Sequence, residues 1–250
     1  MIEEYDYGPV HELRLSRPPV NAFDPGLVHL LSERLRAVPG EGKRALVLSG
    51  SPGLFSGGLD IAALIELDRE GVKRFVRSFL ELQYLIAVSP IPVVMAISGH
   101  CAAGGTVLAL FSDYRIMARG DFRIGLNEVH VGVCAGRIIY GALRRLVGPR
   151  HADRLMCFGS MVRDEEALNI GLVDALVEPD RLVLEAQDYA IALTRLPPIA
   201  YRTTRHLVRE DLAKLLEGAA RQDACNEIVE SIMSPEAQTA LRARVMAMRK

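Results

Sequence analysis

Three short stretches of the chain hold residue types that could do chemistry together. Leu54-Phe55-Ser56-Gly57-Gly58-Leu59-Asp60-Ile61 and Ser98-Gly99-His100-Cys101-Ala102-Ala103-Gly104-Gly105 are glycine turns that can leave backbone N–H groups unpaired. Ile124-Gly125-Leu126-Asn127-Glu128 sets one carboxylate among apolar residues, with Val129, Val131 and Val133 following. N–H groups converging on one point stabilise an oxyanion. Desolvation by Leu126, Val129, Val131 and Val133 would lift the Glu128 pKa and make it a better base. The three pieces together suit removal of a proton beside a carbonyl. The helix at the second glycine turn would add the positive end of its dipole to the field on the resulting anion.

Each piece alone has a plainer reading. Gly57-Gly58 serves as a strand-to-helix connection. Asp60 suits a helix N-cap. Ala103-Gly104-Gly105 can exist for close packing, and a lone Glu is ordinarily structural. Asn127 either fixes the acid, contacts a ligand or shapes a turn. His100 and Cys101 share the second glycine turn, but nothing supplies the third member of a nucleophilic triad. His130 reads as a turn residue. The four cysteines are widely spaced and form no Cys/His ligand cluster, so no metal is expected and reduced thiols are.

The elements that must position these residues follow from periodicity. His11 to Leu15 alternates as a half-buried strand. Asp24-Pro25 starts a helix that carries Leu27, Leu30, Leu31, Leu35 and Val38 and stops at Pro39-Gly40. A strand at 44–49 leads to the turn Gly50-Ser51-Pro52-Gly53. A short helix at 60–67 precedes a long amphipathic one at 71–88, with Val72, Phe75, Val76, Phe79, Leu82, Leu85 and Ile86 on one side. A strand at 93–97 feeds a central helix at 102–111. Strands at 113–118 and 122–124, helices at 137–147, 150–158 and 164–170, and a strand at 172–177 come next. Pro179 opens a helix to about Arg195. After Leu196-Pro197-Pro198 strands vanish, which places a soft boundary between a core at 1–196 holding the site and a helical region at 197–250. Short strands each followed by a helix predict an α/β class, and pattern alone predicts a doubly wound sheet.

Composition limits the function. Half of the 250 residues are hydrophobic, enough for a sizeable core, and the net charge is −1. No strong field attracts nucleic acid or an acidic membrane, and Trp is absent, so no aromatic stacking platform is expected. The longest apolar runs fall short of a membrane span. Met1-Ile2-Glu3-Glu4-Tyr5-Asp6 is neither a secretory signal nor an Arg-rich transit peptide. Ala247-Met248-Arg249-Lys250 is no peroxisomal address. The expected location is cytoplasmic.

The two glycine motifs resemble the crotonase (enoyl-CoA hydratase/isomerase) superfamily. Phe111-Ser112-Asp113-Tyr114-Arg115-Ile116, Ile124 to Glu128, and Ala167-Leu168-Asn169-Ile170-Gly171-Leu172-Val173-Asp174 extend the resemblance in order and spacing over essentially the whole chain. Within it, Pro19-Val20-Asn21, residues 56–60, residues 124–128 and the tail from Ser234-Pro235-Glu236 to Met248 are most similar to mitochondrial-type Δ3,Δ2-enoyl-CoA isomerase. The resemblance implies a spiral of ββα turns with a C-terminal helical trimerisation region, in place of the doubly wound sheet. It implies Leu59 and Gly104 N–H as oxyanion donors and Glu128 as the acid/base. It implies Ser56, Gly58, Asp60, Ile61 and Asn127 as substrate-binding residues. Arg144-Arg145 and the Arg202, Arg205, Arg209 face read as solvated helix faces, with coenzyme A phosphates as the alternative partner. Val107 stands where the hydratases carry a first glutamate. One carboxylate suffices for isomerising a 3-enoyl-CoA to a trans-2-enoyl-CoA in fatty-acid β-oxidation, and the substrate itself carries the coenzyme A, so no cofactor is implied. The alternatives are a hydratase with Asp113 or His130 as second acid, and a non-catalytic acyl-CoA-binding member. A homotrimer or hexamer is the implied assembly.

Overall fold

The computed structural model describes residues 1–248. Arg249 and Lys250, the last residues of the helical region and of the Ala247–Lys250 stretch considered above, lie outside the described residues. Strands β1 (Ile2–Tyr7), β2 (Val10–Leu15), β3 (Ala45–Ser49), β5 (Val93–Ile97), β7 (Tyr114–Ala118) and β10 (Ala175–Val177) form a six-stranded sheet in that order. A smaller sheet runs β4 (Gly53–Ser56), β6 (Gly99–Ala102), β8 (Arg123–Gly125), β9 (Met161–Arg163). Pairing is parallel except between β1 and β2 and between β8 and β9.

The chain alternates between the two sheets. β3 is followed by β4, β5 by β6, and β7 by β8, the first of each pair joining the large sheet and the second the small one. Helices close the turns: α3 (Arg69–Val88) after β4, α4 (Gly104–Leu110) after β6 and α5 (Arg137–Phe158) after β8. This repeated ββα step is a spiral and not the doubly wound sheet predicted from pattern. The small-sheet strands are three or four residues long and rich in glycine, so β4 and β6 read as turns in the sequence. They must be. A Cβ on Gly99 would lie 2.0 Å from the carbonyl carbon and oxygen of Gly53, its parallel partner.

Strands β3 and β5 are buried along their whole length, which explains their unbroken apolar sequence. One face packs under α1 (Pro25–Ala37) and α3. The other packs Val10, Val47, Val94 and Ile116 against Leu182, Ala186 and Ala190 of α7 (Leu182–Thr194). Asp24 caps α1 as expected, accepting from Leu27 N at 2.7 Å. The helices predicted at 137–147 and 150–158 are two segments of α5, broken at Gly148 (φ 75°) ahead of Pro149. Pro179–Arg181 forms a 3-10 turn before α7. α2 (Ile61–Leu64) is shorter than predicted, α6 spans Asp164–Asn169, and β1 and β9 were not anticipated.

Beyond residue 197 the chain is helical as expected: α8 (Pro198–Lys214), α9 (Gly218–Met233) and α10 (Pro235–Met248). These helices are fastened to the core by buried charge. Arg205 and Arg209, read above as a solvated face, are buried, while Arg202, Arg144 and Arg145 are exposed. Arg205 donates from Nε and Nη2 to the two carboxyl oxygens of Asp113 at 2.7 and 2.8 Å. Arg209 donates to the carbonyls of Ala87, Phe111 and Ser112, and burial pushes its guanidinium down to about 10. Among the described residues no helix is long and apolar enough to cross a membrane.

Candidate active site

The three chemical stretches meet because three strands are neighbours. In the small sheet Ser56 pairs with Cys101, and Cys101 with Ile124, all in parallel strands. Leu59 follows Ser56 by three residues, Gly104 follows Cys101 by three, and Glu128 follows Ile124 by four. Each functional group therefore leaves the same carboxyl edge of the sheet, one strand apart from the next.

The two glycine turns abut. A Cβ on Gly58 would fall 2.9 Å from Ala103 Cβ and 3.3 Å from Gly104 N, and φ at Gly58 is +96°. Ala103 itself has φ 46° and ψ −114°, a sparsely populated conformation for a residue with a side chain. The strain sits where the chain turns from β6 into α4. Among the described residues neither Leu59 N–H nor Gly104 N–H finds an acceptor, although Phe23 bonds Gly58 and Asp60 on either side of Leu59. Two free donors on adjoining turns are what an oxyanion needs.

Glu128 opens a 3-10 turn, Glu128–Val131, that ends at Gly132 in the left-handed region. Its Oε2 is buried and meets no polar partner. Burial pushes the carboxyl up to about 7. The residues that dry it are not all those expected. Val129 is 46% exposed and turns to solvent. Leu126 and Val133 do pack beside the acid, and Phe79, Val107 and Ile139 share its cleft.

That cleft has an empty volume of about 490 Å³, its open mouth included, and is lined by Leu59, Gly104 and Glu128 among mostly apolar side chains. Val107, 3% exposed, also lines it. The other carboxylate and imidazole considered as second acids are placed elsewhere. Asp113 is held by Arg205 and by Val93 N at 2.8 Å. His130 Nε2 lies 3.0 Å from the Phe158 carbonyl, at the exposed side of the turn. His100 is exposed, and its Nδ1 accepts from Arg123 N at 3.2 Å. Burial pushes the Cys101 thiol up to about 12, so it holds its proton.

Several residues expected to contact substrate instead shape the loop. Ser56 is fully buried, donates to Asn21 O at 2.7 Å and accepts from Gly58 N at 3.1 Å, so its hydroxyl is spent on the turn. Asp60 caps α2 through Ala63 N at 3.0 Å and pairs with Arg17 at 2.7 Å, occupying both carboxyl oxygens. Ile61 is partly buried against the core. Asn127 precedes the 3-10 turn without capping it through its side chain. Sequence reasoning missed Gln83 of α3 and Ile228 and Ile232 of α9, which also line the cleft. Gln83 left a signal: it falls on the apolar stripe of its helix, eight residues after Phe75. The α9 residues gave none, because only the packing of α9 on α3 brings them there. The cleft thus crosses the boundary near residue 196.

Among the described residues no cluster of three or more His, Cys, Asp or Glu could hold a metal ion. What the site offers is two N–H donors, one carboxyl near neutrality and an apolar slot.

Comparison with known proteins shows the family and the fold. Residues 6–241 match the family described as Enoyl-CoA hydratase/isomerase. The human mitochondrial enoyl-CoA delta isomerase 1 is 30% identical over 207 residues, covering 82% of this chain and 68% of that protein. The crystal structure of human mitochondrial delta3-delta2-enoyl-CoA isomerase superposes with a TM-score of 0.93 at 27% identity, over 99% of this chain and 98% of the other. An enoyl-CoA hydratase from Bacillus halodurans shares the fold at a TM-score of 0.88 and 22% identity, over 97% and 99% of the two chains. The crotonase spiral expected from the motifs is the fold observed.

Proposed function

Because this chain belongs to the enoyl-CoA hydratase/isomerase family, we propose that it moves the double bond of a 3-enoyl-CoA to the trans-2 position. The thioester oxygen accepts from Leu59 and Gly104 N–H, which acidifies the C–H at carbon 2. Glu128, ionised, takes that proton. The dienolate left behind keeps its charge on the oxygen facing the two donors. Glu128 then returns the proton to carbon 4, and the double bond becomes conjugated with the thioester. One carboxyl shuttles one proton, so atoms and charge balance without a cofactor. The loop at 56–61 takes the coenzyme A portion through Gly58 and Ile61, with Ser56 and Asp60 keeping its shape, and Asn127 flanks the acid. We place the reaction in fatty-acid β-oxidation and the protein, as a homotrimer or hexamer, in the cytoplasm. The human relative is mitochondrial by its name, so cell fractionation tests the location.

The observation that carries this reading is that Glu128 is the sole carboxylate among the described residues lining the cleft, with Val107 sharing the lining. Hydration needs a water held between two groups, one taking its proton as the oxygen adds to carbon 3 and the other delivering a proton to carbon 2. General acid–base help is worth roughly 10²–10⁴-fold, so hydration should lag by about that factor. Purified protein should isomerise 3-hexenoyl-CoA far faster than it hydrates crotonyl-CoA, both followed by absorbance of the conjugated thioester. Efficient hydration with little isomerisation would sink the isomerase reading in favour of a hydratase. Binding without turnover of either would favour a non-catalytic acyl-CoA-binding member.

A further inference from the structure

Gln83 is a polar side chain where the cleft has no structural use for one. Helix α3 presents Phe75, Val76, Phe79, Leu80 and Gln83 to the cleft, and Ile139, Ile228 and Ile232 face them. Gln83 is 1% exposed, and its Oε1 is buried without a hydrogen-bond partner. A buried amide oxygen left unpaired costs free energy. Structural glutamines in this chain end on partners, as Gln238 does on the Ile232 carbonyl at 2.9 Å. Gln83 Oε1 secures no neighbouring element, so its partner must come from what enters the cleft.

We propose that Gln83 is a specificity-determining residue that hydrogen-bonds a hydroxyl carried by the acyl group of the substrate. The inference rests on the acyl-CoA reading of the cleft given above. A hydroxyl both donates and accepts, so it satisfies the amide whichever end faces it. A carbonyl could not serve Oε1. A charged group would enter an apolar slot with no counter-charge and with Glu128 nearby. Position fixes which part of the substrate Gln83 addresses. Phe79 Cζ lies 3.3 Å from where a Cβ on Gly104 would stand, beside the oxyanion donors. Gln83 is four residues further on, about 6 Å along α3. It therefore meets the acyl tail and not the thioester carbonyl.

The test uses two 3-enoyl-CoA thioesters of equal length, one with a hydroxyl on the tail and one without. Calorimetric titration into the Glu128→Gln protein reads binding without turnover. The hydroxylated thioester should bind roughly tenfold tighter, as one net hydrogen bond in a closed site supplies. Gln83→Leu on that background should erase or invert the preference, and Gln83→Met does the same job should the leucine variant not fold. In the chain with Glu128 intact, the preference should appear in KM and leave kcat nearly equal. Equal affinity for the two thioesters, or a Gln83→Leu change that weakens both alike, would overturn the proposal. A hydroxyl preference that persists in a protein unable to isomerise either compound would sink the isomerase reading and leave this assignment standing.

Discussion

Burial pushes the Glu128 carboxyl up to about 7 from an ordinary 4.5, so between those pH values the folded chain holds a proton that the unfolded chain has released. Stability must then fall as pH rises through that window, and the deficit is complete above about 7. It should amount to on the order of 1–3 kcal/mol. Glu128→Gln removes the charge and keeps the shape. It should be more stable than the parent by that margin at pH 8 and equal to it below about pH 4.5, read from urea unfolding across pH. Activity runs the other way, since the base must be ionised: kcat/KM should climb with pH around an apparent pKa near 7. Glu128→Gln should abolish isomerisation while leaving thioester affinity within a few-fold. Near-parental rates in that variant would move the base elsewhere. That Leu59, Gly104 and Glu128 come together in one cleft was legible in the sequence because their motifs match the family pattern in order and spacing. Which neighbours dry the acid was not. The 3-10 turn rotates Val129 outward and brings Phe79 and Ile139 in from distant helices, and no local pattern encodes that.

At the level of elements, the small sheet succeeds through what it lacks. β4 and β6 can lie side by side only with glycine at Gly99, and the turns after them touch only with glycine at Gly58. Gly58→Ala would force a methyl within 2.9 Å of Ala103 Cβ at φ +96°. The turn must shift and the two N–H donors with it. Loss of one oxyanion donor costs roughly 2.7–4 kcal/mol, so kcat should drop by about 10²–10³ while the fold survives, checked by steady-state kinetics beside circular dichroism. A parental kcat would separate the turn from the chemistry. The same glycines explain why the long strands and helices could be read from periodicity while β4 and β6 could not. Four residues opening on glycine carry no alternation to read. Charge was misread for a related reason. Arg205 and Arg209 sit four apart like any solvated helical stripe, yet both pair with Asp113 across a separation of 92 residues or more once α8 packs on α3. Asp113→Ala would strand both guanidiniums in the interior. A broken buried pair typically costs about 3–5 kcal/mol, so the midpoint of chemical unfolding should fall accordingly; an unchanged midpoint would show the pair to be idle.

Taken whole, the molecule shows apolar surface it has no means of hiding. Ile199 is 72% exposed, Leu207 64%, Val208 58% and Met246 67%, all on the helices beyond residue 197. Contiguous exposed apolar surface marks an interface. The protein should sediment as an oligomer at micromolar concentration, and a strictly monomeric mass would remove the idea. The same helices bear on when the site exists at all. Ile228 and Ile232 of α9 wall the cleft that both glycine turns and Glu128 open into. A ribosome lays down the oxyanion turns first, then the acid, and the wall much later. Until α9 is made and docks on α3, the carboxyl stays hydrated on that side and the cleft has no far wall. If the proposed mechanism holds, the growing chain has all three groups in hand well before it has a closed cleft in which they could act.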